Sequence, residues 1–343
     1  MNIGIIGATG LVGEEFVKLI NSNYLNIKVK NIKLFASSKS INKKVLINNK
    51  DHFIEELNDD SFKNLNVAIF CSSSEISLRY TKEAIKNSCF VIDNSSAYRM
   101  NKNVPLVIPE VNANLINLNN GIISNPNCCT ILLCTVLAPL HKVYKIKRLI
   151  ISTYQSASGA GREGLNELES QIENFNNNQS FNTKVFGRQY INNVFSHNSE
   201  INFENGYNEE EIKIIEETNK ILDSNIDISV TCVRVPVFRS HCESVNIEFE
   251  KTSNLKDIYN ILENQQGVEI IDNKKEGKFP EPINTENKHN IQVGRIRYDF
   301  NDKECKKLNL FLSGDQLLKG AALNAYQILN LCQNININKL CIK

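Results

Sequence analysis

The segment NIGIIGATGLVGEEFVKLINS, residues 2–22, constrains the fold more than any other part of the chain. The apolar run from Asn2 to Gly7 reads as a strand, and EEFVKLINS has helical spacing. Between them Gly7, Gly10 and Gly13 make a G-x-x-G-x-x-G turn. Strand, glycine turn and helix in that order are the context of a dinucleotide site. Glycines let the backbone approach a pyrophosphate, and the helix N-terminus offers it N–H donors. The commoner spacing is G-x-G-x-x-G, and a tight turn without ligand uses glycine in the same way. The strand–turn–helix context favours the nucleotide.

IKLFASS, VAIFCSS and CFVIDNSS read as further strands, with EISLRYTKEAIKNS as a helix between them. Such alternation predicts an open parallel sheet. Ser37, Ser72 and Asp93 then fall along its carboxyl edge, where these sheets bind ligands. The second strand ends in Ser37, Ser38 and Lys39, without the acid that holds the ribose 2′-hydroxyl of NAD. Hydroxyls beside a cation suit a 2′-phosphate, so NADP is the expected cofactor. The plain alternative is that Lys39 is a solvated loop lysine.

From about Leu149 the pattern changes. LIISTYQS, ISVTCVRVPV and SVNIEFE read as longer strands, separated by the helical stretches REGLNELESQIENF and NEEEIKIIEETNKIL. The Asn-rich stretch from Phe175 to Asn205 reads as a long loop. GAALNAYQILNLCQ reads as an amphipathic helix returning to the first domain. The expected fold class is α/β: a Rossmann-type dinucleotide-binding domain of residues 1–127 with 320–343, and a second α+β catalytic and dimerisation domain, 128–319, with a mixed sheet.

Bulk properties exclude several functions. With 39 basic and 38 acidic side chains in 343 residues, no net field draws the chain to nucleic acid or a membrane surface. No apolar run is long enough to span a bilayer. The N-terminus enters a strand directly, so no signal peptide is expected. Ten cysteines are scattered without a framework, no C-x-x-C occurs, and the histidines lie far apart. Reduced thiols in a cytoplasmic protein, and no metal site, are expected.

Two of those cysteines stand together in ISNPNCCTILLCTVLAPL. Cys134 lies inside the apolar run and reads as a small core hydrophobe. Cys128 and Cys129 follow a turn signal, with Asn127 as a candidate N-cap. A thiol in the first turn of a helix meets the positive end of the macrodipole, which favours the thiolate. Whether either is reactive is left open by these residues alone.

Read together, GIIGATGLVGEE, SNPNC, STYQSASGAGREG, VRVPVFRSHCES, VGRIRYD and GDQLLKGAALNA resemble the aspartate-β-semialdehyde dehydrogenase family along almost the whole chain. The resemblance implies that Cys128 is the nucleophile and His241 the acid/base. It implies that Gln155 positions a thioester, Arg234 grips the substrate α-carboxylate and Glu210 receives its amino group. Lys213 and Arg99 are implied to bind phosphate, with Asn127 beside them. Thr9, Leu11, Val12, Ser72, Ser158, Gly159 and Gln316 are implied to join Gly7, Gly10, Gly13, Ser37, Ser38 and Lys39 at the cofactor.

The implied activity is reversible, NADPH-dependent reduction of L-aspartyl 4-phosphate to aspartate semialdehyde and phosphate, in lysine, threonine and methionine synthesis. The implied assembly is a homodimer or homotetramer. Two departures stand out. The family usually has Ser or Thr where Cys129 stands, and more often arginine where Lys39 stands. Adjacent helical residues point about 100° apart, so Cys128 is expected to act and Cys129 to pack.

Each residue also has a plain reading. Glu210 and Lys213 could form a surface ion pair, His241 could be structural, and Gln155 and Arg234 could be strand residues with local partners. His197 is read as structural, and His52, His141 and His289 lack context. The rival activities are N-acetyl-γ-glutamyl-phosphate reductase, which needs no acid for a free amino group, and a catalytically silent nucleotide-binding relative.

Overall fold

The computed structural model describes residues 1–118 and 121–334. The chain divides into two compact units, one of Met1–Asn127 with the chain from Ala321 onward, the other Cys128–Gly320. Residues 335–343 of the expected return segment lie outside the described residues.

The first unit contains β1 (Asn2–Ile6), α1 (Leu11–Ser22), β2 (Asn31–Ala36), β3 (Lys44–Ile47), β4 (Lys50–Glu56), β5 (Val67–Phe70), α2 (Ser74–Lys86), β6 (Phe90–Asp93), α3 (Pro109–Asn112) and β7 (Ile122–Ser124). Its sheet runs β3-β4-β2-β1-β5-β6-β7. All pairs are parallel except the β3–β4 hairpin. Without β3, the strands follow the doubly wound order whose direction reverses between β1 and β5. Both strands are almost wholly buried, as expected of a sheet covered on two faces. The glycine turn leaves β1 at this switch point, beside Cys71 and Ser72 at the end of β5.

The second unit contains α4 (Cys128–Tyr144), β8 (Ile146–Gln155), α5 (Gly161–Asn176), β9 (Phe195–Ser196), α6 (Glu209–Leu222), β10 (Asp227–Arg234), β11 (His241–Phe249), α7 (Leu255–Glu263), β12 (Val268–Ile270), α8 (Pro282–Thr285), β13 (Ile291–Tyr298) and β14 (Lys307–Gly314). Its mixed sheet runs β12-β13-β14-β11-β8-β10-β9. One face packs against α4: Leu149, Ile151, Val230, Val245, Ile247 and Leu310 cluster with Leu132, Leu133, Val136 and Leu137. A helix apolar on nearly every side is a buried one, and α4 is the core of this unit. The opposite face shows Ile150 and Tyr154 at 44% and 37% exposure. The chain then returns to the first unit in α9 (Leu323–Asn334), where Tyr326 meets Phe16 of α1 edge to face at 5.5 Å.

The Asn-rich stretch is more ordered than its composition implies. Phe195 and Ser196 form β9 against β10. Phe186, Tyr190 and Phe195 pack edge to face with ring centroids 4.4–6.0 Å apart. The side-chain Oε1 of Gln171 accepts the Tyr190 N–H at 2.6 Å, tying the stretch to α5. Few large apolar groups, closely packed, hold it.

Candidate active site

Cys128 is the first residue of α4. Its thiol is half-buried, whereas Cys129 is fully buried. The two Sγ atoms and one imidazole nitrogen of His241 lie within 4.8 Å of one another. A hydrogen bond from Cys129 and the charge of His241 hold the Cys128 thiol well below its ordinary range, against burial and the Glu210 charge. Cys129 is pushed the opposite way by the same hydrogen bond and by burial, so it keeps its proton and donates it. The sequence reading of Cys129 as packing alone therefore omits a role. The bond explains how Cys128 can exist as a thiolate.

His241 begins β11 and has no exposed surface. The Ser156 N–H donates to Nδ1 at 3.1 Å, and Ser156 Oγ is also 3.1 Å from Nδ1. Nε2 has no hydrogen-bond partner among the described residues. A metal-ligating imidazole donates its second N–H outward, whereas this Nδ1 accepts a backbone N–H. The cluster of two thiols and an imidazole is thus better built for proton transfer than for a cation. Gly159 leaves the ring its space, since a Cβ there would lie 3.2 Å from Nε2 and 2.8 Å from Arg234 Nη1.

Arg234 ends β10 in register with Gln155 at the end of β8. Nη1 donates to Ser156 O at 2.9 Å, Nη2 meets His197 Nε2 at 2.7 Å, and Nε donates to Asn198 Oδ1 at 3.4 Å. None of these is a carboxylate, so the buried guanidinium can still take an anionic ligand. Burial and the Arg234 charge push His197 down to about 4, leaving it neutral and able to accept from Nη2. No sequence pattern marks His197, read as structural, as a support of Arg234, because the two are brought together only by β9 and β10.

Three consecutive glutamates have different fates. Glu209 pairs with Lys213 at 3.5 Å. Glu211 closes a capping box with Asn208 and accepts the Cys232 N–H at 3.0 Å. Glu210, 7% exposed, accepts from Gln155 Nε2 at 3.1 Å. Gln155 in turn accepts from Thr153 Oγ1 at 3.1 Å. The charges of Arg234, Glu210, His241 and Lys213 all reach His197, so the fold gathers these residues around one place. Lys213 pairs with Glu209 rather than Glu210, and its side chain is 30% exposed.

Ser158 and Gln316 are hydrogen bonded to each other. Gln316 Oε1 also accepts the Ser240 N–H at 2.8 Å. Arg99 and Asn127 belong to the first unit. Arg99 is buried and donates to Asn125 O at 2.9 Å and Asn94 O at 2.8 Å. Asn127 is buried beside the start of α4 in sequence.

The nucleotide turn of the first unit fits a pyrophosphate. Gly7 has φ +81°, and a Cβ there would lie 2.2 Å from Cys71 O. At Gly13 a Cβ would lie 2.4 Å from Gly7 O, so only glycine allows α1 to pack this close. Gly10 caps α1 without any side-chain bond to the helix N–H groups, so Thr9, Leu11 and Val12 flank an end that a phosphate can cap. Ser72 Oγ is buried at the same edge without a hydrogen-bond partner among the described residues. Ser37, Ser38 and Lys39 are exposed after β2. Asp93 at this edge is buried, its carboxylate accepting from Ser77 Oγ at 2.7 Å and Ser95 Oγ at 2.9 Å.

The family model of the semialdehyde dehydrogenase NAD-binding domain matches residues 2–118, and that of the semialdehyde dehydrogenase dimerisation domain matches residues 137–319. The aspartate-semialdehyde dehydrogenase of Prochlorococcus marinus is 39% identical over 332 residues, covering 96% of this chain and 95% of its own. The chain belongs to the aspartate-semialdehyde dehydrogenase family. Another aspartate-semialdehyde dehydrogenase, that of Campylobacter jejuni, is 40% identical over 334 residues, covering 95% of each chain. The structure of aspartate semialdehyde dehydrogenase II from Vibrio cholerae, complexed with ASA, superposes with a TM-score of 0.93 at 33% identity, covering 98% of both chains. The expected architecture of an aspartate-semialdehyde dehydrogenase, a Rossmann-type unit and a second unit with a mixed sheet, is the one observed. No helix among the described residues is long and apolar enough to cross a membrane.

Proposed function

We propose that the chain catalyses NADPH-dependent, reversible reduction of L-aspartyl 4-phosphate to aspartate semialdehyde and phosphate, in the cytoplasm, in the synthesis of lysine, threonine and methionine. The observation that carries this reading is the Cys128 thiol, depressed by Cys129 and set within 4.8 Å of a His241 nitrogen.

Cys128 attacks the acyl phosphate, the acyl–oxygen bond breaks, and phosphate leaves behind a thioester. Gln155 holds the acyl group. Arg234 makes paired hydrogen bonds to the α-carboxylate, and Glu210 accepts the ammonium. The bound nucleotide supplies the hydride that takes the acyl carbon to the aldehyde level. His241 protonates the developing alkoxide, then accepts that proton as the C–S bond breaks and Cys128 leaves as thiolate. Arg99, Lys213 and Asn127 serve the phosphate. Gly7, Thr9, Gly10, Leu11, Val12 and Gly13 hold the pyrophosphate, and Ser72, Ser158, Gly159 and Gln316 complete the cofactor site. Ser37, Ser38 and Lys39 take the 2′-phosphate, which is why NADP is preferred to NAD.

The chain acts as a homodimer or homotetramer, with the Ile150 and Tyr154 face of the second unit covered by another copy. Light scattering after gel filtration tests this assembly, and a monomer at micromolar concentration refutes it. The chemistry is tested by mass spectrometry after mixing the protein with aspartate semialdehyde and NADP without phosphate. An aspartyl adduct on the Cys128 peptide supports the mechanism, and absence of any adduct contradicts it.

A further inference from the structure

Three consecutive residues of the Asn-rich stretch join Arg234 to Glu210. His197 Nε2 meets Arg234 Nη2 at 2.7 Å, and Asn198 Oδ1 accepts from Arg234 Nε at 3.4 Å. Ser199 Oγ accepts the Glu210 N–H at 3.2 Å. The backbone of the segment is fixed at both ends. The His197 N–H donates to Cys232 O of β10 at 2.8 Å, and Glu200 O accepts the Glu209 N–H of α6 at 2.8 Å. With Asn208 Oδ1 accepting the Glu211 N–H, the first three donors of α6 are all bonded, so this helix end is held in place. Every nitrogen of a guanidinium is a donor. His197 Nε2 therefore accepts, and the ring proton sits on Nδ1, 3.1 Å from Ser199 Oγ. The Ser199 N–H, 3.3 Å from Nδ1, is the contact this tautomer gives up. A hydroxyl oxygen has two acceptor sites, and Ser199 fills them with the ring proton and the Glu210 N–H.

We propose that His197, Asn198 and Ser199 are positioning residues that set substrate specificity, holding Arg234 and Glu210 at the separation of a carboxylate and an ammonium borne on one carbon. This rests on the proposed reaction, in which those two residues grip the substrate α-carbon. Arg234 ends β10 and Glu210 lies in the first turn of α6, so neither element alone sets the distance. A misplacement of about 1 Å weakens such paired contacts severely. The Gln155 bond fixes the Glu210 carboxylate, and the segment 197–199 fixes the Glu210 backbone against the guanidinium. A substrate with the carboxylate and no ammonium engages Arg234 and gains nothing from Glu210. The segment thereby selects acyl substrates that carry a free α-ammonium.

The test uses full-length protein and one ratio, kcat/KM for aspartate semialdehyde over that for succinate semialdehyde, which keeps the carboxylate and lacks the ammonium. Ser199→Ala is expected to lower this ratio roughly fivefold, the weight of one neutral hydrogen bond. Ser199→Thr keeps the hydroxyl and restores the ratio. His197→Asn lowers kcat/KM for both aldehydes and leaves their ratio nearly unchanged. His197→Gln, whose amide oxygen can stand where Nε2 does, recovers both. A merely structural loss would lower both aldehydes together in every variant. A ratio unmoved in folded Ser199→Ala but lowered in Glu210→Gln overturns the proposal alone. A ratio unmoved in Glu210→Gln as well overturns the ammonium role of Glu210, and the proposal with it. If wild type reduces no NADP with either aldehyde, ligand-detected NMR compares binding of L-aspartate and succinate instead. A preference for L-aspartate that Ser199→Ala reduces keeps the proposal although the reaction fails, and no preference overturns both.

Discussion

Gln155 at the end of β8 donates through Nε2 to Oε1 of Glu210 in the first turn of α6, 3.1 Å away. The bond joins the amide proposed to hold the acyl group to the anion proposed to receive the ammonium, so neither can shift alone. Glu210→Gln preserves size and removes the charge. It is expected to raise KM for aspartate semialdehyde about tenfold or more, the weight of one charge-assisted bond, with a smaller effect on kcat. Steady-state kinetics at saturating NADP and phosphate checks this.

Cys129 differs from serine by one atom, and its S–H supports the Cys128 thiolate. Cys129→Ala removes the donor, so the Cys128 thiol moves up and its alkylation by iodoacetamide below pH 7 slows. Cys129→Ser keeps a donor and retains fast alkylation. The rate of modification at Cys128 against pH, read by peptide mass spectrometry, distinguishes them.

Glu243 lies two residues beyond His241 on the same face of β11, wholly buried, with neither carboxyl oxygen bonded among the described residues. Burial, reinforced by the Cys128 charge, raises it well above the ordinary carboxylate range. Between the unfolded and folded values the folded protein holds a proton that the unfolded chain has released. Stability therefore falls as pH rises through that window, by about 1.4 kcal/mol per pH unit. Glu243→Gln removes this slope and melts at a higher temperature than wild type at pH 7.

His197 has the opposite linkage. Its folded value of about 4 lies below the unfolded one, so between them the unfolded chain binds the extra proton and stability is lost as pH falls. His197→Asn flattens this part of the curve and, having lost the Nε2 acceptor beside Arg234, raises KM for aspartate semialdehyde. Thermal melts from pH 4 to 7 and a KM determination check both effects.

Lys39 is exposed beyond β2, where the 2′-phosphate of NADP is proposed to sit. Lys39→Glu is expected to raise KM for NADP at least tenfold, again the scale of a charged contact, while leaving KM for NAD nearly unchanged. Equal loss for both nucleotides would move the 2′-phosphate elsewhere.

The nucleotide turn was legible because its glycines have no substitute: at Gly7 and Gly13 any Cβ would collide with backbone. The β3–β4 hairpin was not. Its turn is Asn48-Asn49, both at positive φ, a preference of two-residue hairpins, but asparagine is so frequent here that this pair carried no contrast. Within the site, Cys128, Gln155, His241 and Arg234 stood in recognisable strings. Glu210 could be separated from Glu209 and Glu211 only by resemblance, and the fold supplies the reason, giving one to Lys213 and the other to the helix cap. His197 was read as structural, and its partner Arg234 was not legible because the two are distant in sequence.

Cys128 is proposed to carry the acyl group in an aspartate-semialdehyde dehydrogenase reaction. The most direct measurement is phosphate-dependent NADP reduction with aspartate semialdehyde by wild type, Cys128→Ser and Cys129→Ser. Wild type and Cys129→Ser are expected to turn over, with loss of at least a thousandfold in Cys128→Ser, the scale expected when a nucleophile is removed. Activity lost in Cys129→Ser and kept in Cys128→Ser, or none in wild type, would contradict it.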